Sequence, residues 1–278
     1  VFSAEVSGVT YYLLDNEYYF KRKGLYGFYD DGERFAFFSR AILEMLQHID
    51  FAPDIIHTND WQTALVCVYL NLYYRHLEKF SRIKTAFTIH NIQYQGKYGM
   101  ELLEDVLSIG PENAHLVEYD GCVNFMKGAI ECADKVTTVS PTYAYEIMDP
   151  WFSHGLDGLL REKAYKTCGI LNGIDVVTYD PATDPLIAYH FDADSFETGK
   201  PKCKDDLRNI FHLEKNDQPI IGMVTRLVSH KGLDLVRHVA EYIILSGIQF
   251  VIVGNGDYMY ESFFNELAAK YPGRVGVY

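Results

Sequence analysis

The sequence predicts an α/β fold, with two parallel-sheet halves following one another along the chain. Three observations carry this. Apolar runs of strand length recur, each followed by a stretch whose apolar residues fall at helical spacing. Strands alternating with helices imply a parallel sheet covered on both faces. Polar segments such as His57 to Trp61 and Arg226 to Gly232 come where strands end, the edge at which open α/β sheets hold ligands.

In the first half, Gly8 to Leu14 reads as a strand and Glu33 to Leu46 as a helix with Phe37, Ala41, Leu43 and Leu46 inward. A strand is predicted at Asp54 to Thr58, a helix from Trp61 to about Arg75, and a strand at Thr85 to His90. Phe125 to Cys132 is helical by its spacing and leads to a strand at Lys135 to Ser140. A helix follows Pro141, because proline lacks the N–H that a first helical residue would leave unpaired. Lys166 to Leu171 is a short strand ending at Asn172-Gly173.

From Asn172 to about Gln218 the pattern weakens into a long connection rich in Pro, Asp and Lys, with one short helix near Lys204 to Phe211. Alternation then resumes: strand Ile220 to Thr225, helix Leu233 to Leu245, strand Gln249 to Val253, helix Tyr258 to Ala269, strand Arg274 to Tyr278. The expected domains are 1–166 and 167–278, facing a cleft. The last strand has nothing after it to cover it, and Val1 is not a methionine, so a piece of a longer protein is expected. No repeat of solenoid length appears.

Hydrophobic residues make up 48% and charged residues 23%, ordinary for a globular domain. A net charge of −13 argues against nonspecific nucleic-acid binding, which needs a broad basic face. Five cysteines form no C-x-x-C pair, so neither a disulfide framework nor a zinc site is implied and a cytoplasmic setting is expected. No apolar stretch is long enough to span a bilayer, and no signal peptide opens the chain. Tyrosine is abundant, at 22 residues; such rings stack on sugars, although most serve packing.

Four strand-ending loops could carry chemistry. The Arg226/Lys231 loop lies between a strand and a helix start, whose free N–H groups and partial positive charge favour an anion. A diphosphate leaving group is the natural occupant, and a solvated basic loop is the competing reading. Asp60 could act at a sheet edge or cap the helix that follows. His90 and Asn91 could bind sugar hydroxyls or close a turn, and Asn172-Gly173 is a generic turn signal. Gly254-Asn-Gly256-Asp257 lies between a strand and a helix, but Met259 replaces the third glycine of a dinucleotide fingerprint. No nucleophile elbow, Walker loop or H-E-x-x-H helix is present.

Together these segments resemble the bacterial glycogen synthase and plant starch synthase family. The matching stretches are Asp30 to Ser39, His57 to Gln62, His90 to Gly96, Thr138 to Thr142, Gly169 to Asp175, Arg226 to Gly232 and Gly254 to Asp257, in the family's order. The resemblance implies a GT-B fold of two Rossmann-like domains. It implies retaining transfer of glucose from ADP-glucose to the nonreducing end of an α-1,4-glucan such as glycogen. No cofactor and no catalytic metal are expected, because the basic loop supplies positive charge and no Asp-x-Asp pair follows a strand.

Carried over, Arg226 and Lys231 would hold the diphosphate, His90 would sit by the glucose and Asp60 near the reacting centre. Asn91, Asn172 and Gly173 would contact the sugar, and Gly254 and Gly256 the nucleotide. The family's Lys-Thr-Gly-Gly-Leu loop and Glu-Pro-Cys-Gly motif have no match here. Both domains are therefore expected to be incomplete, the fragment inactive alone and self-associating through uncovered sheet edges. Alternatives are another GT-B transferase using UDP-glucose and a non-catalytic glucan-binding fragment.

Overall fold

The computed structural model describes residues 1–278 and opens with a hairpin, β1 (Phe2–Val6) paired antiparallel with β2 (Val9–Leu13). The turn residues Ser7 and Gly8 have φ of 52° and 76°, the backbone that a two-residue turn between right-twisted strands requires. The expected strand at Gly8 to Leu14 is therefore half of an exposed ribbon, outside the parallel sheets.

Next come α1 (Glu17–Phe20) and α2 (Asp31–His48). Helix α2 buries Ala36, Ser39, Leu43 and Leu46, whereas Phe37 is 37% exposed and Ala41 only half-buried. The inward stripe is offset from the expected one because Asp31 and Arg34 are themselves buried as an ion pair. Arg34 Nε also donates to the Tyr19 carbonyl at 2.8 Å, so polar residues occupy the inner face that hydrophobicity alone would not assign.

The first parallel sheet starts at β3 (Ile55–Asn59), passes through α3 (Asp60–Tyr69) and returns at β4 (Lys84–Ile89). Beyond α3 the backbone continues as a π-helical turn over Leu70–Tyr74, so the helical stretch ends close to Arg75 as expected. A small antiparallel insertion follows, made of β5 (Lys97–Tyr98), α4 (Leu102–Asp105), β6 (Glu118–Tyr119) and β7 (Cys122–Asn124). Then α5 (Phe125–Cys132), β8 (Lys135–Thr138), α6 (Pro141–Glu146), α7 (Asp157–Glu162) and β9 (Thr167–Gly169) complete a sheet of order β3-β4-β8-β9.

Phe87, Ile89 and Val136 of the sheet share one core with Ala64, Leu65, Val68, Ala129 and Ile130 of the helices. Burying each large apolar side chain of this kind contributes about 1.5–3 kcal/mol. Ser140 caps α6, its hydroxyl accepting from the Tyr143 N–H at 2.9 Å, with Pro141 at the first helical position.

The chain divides into two compact units, Val1–Gly173 and Ile174–Tyr278. The break lies beyond residue 166, where the sequence reading put it, because β9 pairs with β8 and so belongs to the first sheet.

In the second unit α8 (Phe196–Ile210) precedes β10 (Ile220–Val224), α9 (Leu233–Leu245), β11 (Gln249–Val253), α10 (Tyr258–Lys270) and β12 (Val275–Val277), with parallel order β10-β11-β12. Helix α8 starts well before Lys204; Pro201 within it interrupts the pattern that a periodicity reading follows. Buried Arg208 ties α8 to the sheet, donating to Gln249 Oε1 at 3.0 Å and to the Gln218 carbonyl at 2.9 Å. The last strand is not bare: Val275 is buried in the second core and Phe211 packs on Gly276.

Candidate active site

Parallel pairing gathers the first group of residues. Asn59 stands opposite Thr88 in the β3–β4 register, so His90 follows two residues later at the same carboxyl edge. There the Asp60 carboxylate accepts the His90 backbone N–H at 2.9 Å, and His90 Nε2 meets Asn59 Oδ1 at 2.9 Å. Asp60 is the first residue of α3 and has φ +55°, left-handed backbone that is uncommon outside glycine. Its side chain does not cap α3 but reaches across to β4, which answers the capping alternative. Strained backbone of this kind persists where the surroundings hold it, often at functional sites.

Asn91 is turned inward on its own loop, with Oδ1 accepting the Gln93 N–H at 3.0 Å. The loop is clamped further along. Gln95 is buried; its Nε2 donates to the carbonyls of Ile92 and His154 at 3.1 Å each, and its Oε1 accepts from Asn124 Nδ2 at 2.7 Å. The Tyr143 hydroxyl accepts the Ile92 N–H at 3.2 Å, and burial pushes the Tyr143 phenol up from its usual range. A pocket of about 430 Å³ opens beside this loop, lined by Trp61, Tyr94, Gly96, Tyr98 and His154 among others.

Asn59, Gln95, Asn124 and Tyr143 were not among the sequence candidates. Asn59 lay inside a motif loop and was legible by position. The Gln95–Asn124 pair joins residues far apart in sequence and carries no local signal.

The second group assembles in the second unit. Arg226 and Lys231 are exposed and form no ion pair. Ser229–Lys231 makes a 3₁₀ turn, and Gly232, with φ 72°, delivers the chain into α9 without any side-chain cap. The Leu233 and Asp234 N–H groups at the start of α9 therefore have no backbone or capping partner, and the Leu235 N–H is the first to bond, to the Gly232 carbonyl at 3.0 Å. Burial lowers the His230 pKa first, and the charges of Lys231 and Arg226 lower it further, which identifies a locally positive loop.

Two strand-end loops are zipped together here. The Leu227 N–H donates to the Asn255 carbonyl and the Asp257 N–H to the Leu227 carbonyl, both at 2.8 Å. Gly254 and Gly256 allow this approach, since a Cβ on either would overlap the carbonyl oxygen of Thr225 or Leu227.

The sequence candidates thus fall into two local clusters, Asp60 with His90 and Asn91 in one, and Arg226 and Lys231 with Gly254 and Gly256 in the other. Asn172 and Gly173 are exposed after β9, and the Asn172 side chain makes no hydrogen bond to Asp60, His90 or Asn91. Asp175, in the same motif, holds its own turn by accepting from Val177 and Thr178, which keeps its carboxyl below the usual range. No group of three or more His, Cys, Asp or Glu side chains is gathered as a metal site, all five cysteines are free, and no helix is long and apolar enough to cross a membrane.

Two parallel α/β units with polar loops at their strand ends match the GT-B glycosyltransferase fold. Comparison with known proteins fixes the family: residues 1–162 match the starch synthase catalytic domain family, and the chain belongs to it. Glycogen synthase of Bacillus cereus is 50% identical over an alignment of 281 residues that takes in 100% of this chain and 59% of that protein. Glycogen synthase of Clostridium acetobutylicum is 48% identical over 277 residues, 98% of this chain and 57% of that one. Among solved structures, the catalytic domain of starch synthase IV from Arabidopsis thaliana bound to ADP and acarbose superposes with a TM-score of 0.88 at 34% identity, covering 99% of this chain and 58% of that one. The chain spans somewhat under three fifths of the length of these relatives.

Proposed function

We propose that this chain is part of a glycogen or starch synthase, an enzyme transferring glucose from ADP-glucose to the nonreducing end of an α-1,4-glucan with retention at the anomeric carbon. The observation that carries the reading is the pair of unpartnered cations, Arg226 and Lys231, beside the uncapped start of α9. A diphosphate leaving group gains negative charge as the glycosidic bond breaks. Fixed cations and backbone N–H groups near it lower that barrier without reorganising. In this reading no metal is required, because the loop supplies the positive charge.

Gly254 and Gly256 let the two strand-end loops close on one another, and the backbone of the Gly254–Gly256 loop lines the nucleotide. His90 and Asn91 contact the transferred glucose, and Asn172 and Gly173 do so from the segment after β9. Asp60 lies near the acceptor hydroxyl and the reacting centre. The pocket beside Trp61 and Tyr94 has the aromatic walls that suit glucan rings. A cytoplasmic setting is supported by five free thiols without a C-x-x-C pair.

The test is a labelled-glucose transfer assay on glycogen, using the intact polypeptide that carries this chain, with ADP-glucose and UDP-glucose compared. Preference for ADP-glucose with α-1,4 product is expected. Transfer from UDP-glucose alone, or no transfer from either, would overturn the reading.

A further inference from the structure

The β3–β4 edge repeats one contact geometry. His57 stands opposite Ala86 and bonds two residues on, its Nε2 meeting Thr88 Oγ1 at 2.7 Å. One strand period later Asn59 stands opposite Thr88 and again bonds two residues on, its Oδ1 meeting His90 Nε2 at 2.9 Å. The first contact continues into the sheet, where Thr88 Oγ1 meets Thr137 Oγ1 at 2.6 Å. Asn59 is the last residue of β3 and is held at both ends of its backbone: its N–H donates to Thr63 Oγ1 at 2.7 Å, and its carbonyl accepts from that hydroxyl at 2.9 Å. Asp60 holds the backbone N–H of the same histidine. The His90 ring is thus fixed from one side through Nε2 and its main chain from the other.

An amide oxygen only accepts, so the ring nitrogen facing it must carry the proton. We infer that Asn59 is a positioning residue that holds His90 as the Nε2–H tautomer and leaves Nδ1 to accept a hydroxyl of the bound sugar. The second clause rests on the function proposed above; the first does not. A neutral imidazole presenting a lone pair distinguishes a sugar hydroxyl from a group that can only accept. The tautomer is set by the hydrogen bond at the other nitrogen, as for histidines elsewhere.

The test is ¹⁵N NMR of the His90 ring in the intact polypeptide without substrate, above the histidine pKa. A protonated, pyrrole-like Nε2 and a pyridine-like Nδ1 are expected in the wild type and a mixture of tautomers in Asn59→Ala. Asn59→Asp, which keeps an acceptor, should retain the proton on Nε2. In the transfer assay Asn59→Ala should lower kcat about five- to tenfold, the scale of one neutral hydrogen bond, with KM for the nucleotide sugar within about twofold. A wild-type ring protonated at Nδ1, or an unchanged tautomer in Asn59→Ala, overturns the inference whether or not glucose is transferred. The wild-type spectrum decides this even if a variant fails to fold. If the tautomer is as expected but transfer is absent, the functional reading fails and the positioning role stands.

Discussion

Gly254 packs against the Thr225 carbonyl oxygen so closely that a Cβ at this position would overlap it. The contact joins the ends of β10 and β11, where the Thr225 N–H also donates to the Val253 carbonyl at 3.1 Å. Gly254→Ala must therefore push the two loops apart, at a cost of about 1–3 kcal/mol, the usual scale of overpacking. A lowered Tm and weakened ADP binding by calorimetry are expected. Gly173→Ala is the control, since nothing lies within 4 Å of a Cβ there, and its stability should stay within about 0.5 kcal/mol of wild type. Equal Tm for Gly254→Ala and wild type would show that the loops part freely.

Arg226→Ala and Lys231→Ala should each lower kcat more than they raise KM. Charge on the departing diphosphate grows toward the transition state, so a fixed cation acts most strongly there. Losing one such donor typically costs about 10²–10³-fold in kcat. Steady-state kinetics on the intact polypeptide check this, and a variant with normal kcat and a raised KM would mean that the loop merely binds.

His230 reports on the same loop. Burial and the charges of Lys231 and Arg226 lower its pKa, so the unfolded chain binds this proton more readily than the native one. Any stability tied to His230 is present above the ordinary histidine pKa, about 6.5, and is lost as pH falls below it. A diphosphate in the loop offsets the two cations and should raise the His230 pKa, so ADP binding takes up protons and tightens as pH falls. NMR titration of His230 with and without ADP measures the shift. An identical titration in both would place ADP elsewhere.

Asp60→Asn separates charge from geometry. Asparagine tolerates left-handed backbone and can still accept the His90 N–H, so stability should remain within about 0.5 kcal/mol. Transfer should nonetheless fall by about 10²-fold if the carboxylate acts on developing charge, on the scale of a lost electrostatic group. Full activity in Asp60→Asn would reduce Asp60 to a clamp for β4.

The intact polypeptide should retain full activity in excess EDTA, because in the proposed role Arg226 and Lys231 supply the charge that a divalent ion supplies in other phosphate sites. Loss of transfer restored by Mg²⁺ or Mn²⁺ is the contrary result.

Much of this molecule could be read from sequence where the signal is local. The strands of both sheets, the helix at Phe125–Cys132 and the helix at Leu233–Leu245 follow from apolar periodicity, and the loops carrying Asp60, His90, Arg226 and Lys231 lie where those strands stop. What periodicity missed depends on partners distant in sequence. The inward stripe of α2 is set by the buried Asp31–Arg34 pair, the break after Gly173 by the pairing of β9 with β8, and the start of α8 is hidden by Pro201.

The candidate site residues divide along the same line. The sequence by itself determined which side chains stand at strand ends, because strand and helix periods are properties of neighbouring residues. Only the tertiary structure decided that Asp60 binds the His90 N–H rather than capping α3, that Asn59 meets the His90 ring, and that Gln95 and Asn124 hold the loop between them. Such contacts join residues about thirty positions apart. They form only when parallel pairing and helix packing bring their backbones into register, and that information lies in the register itself.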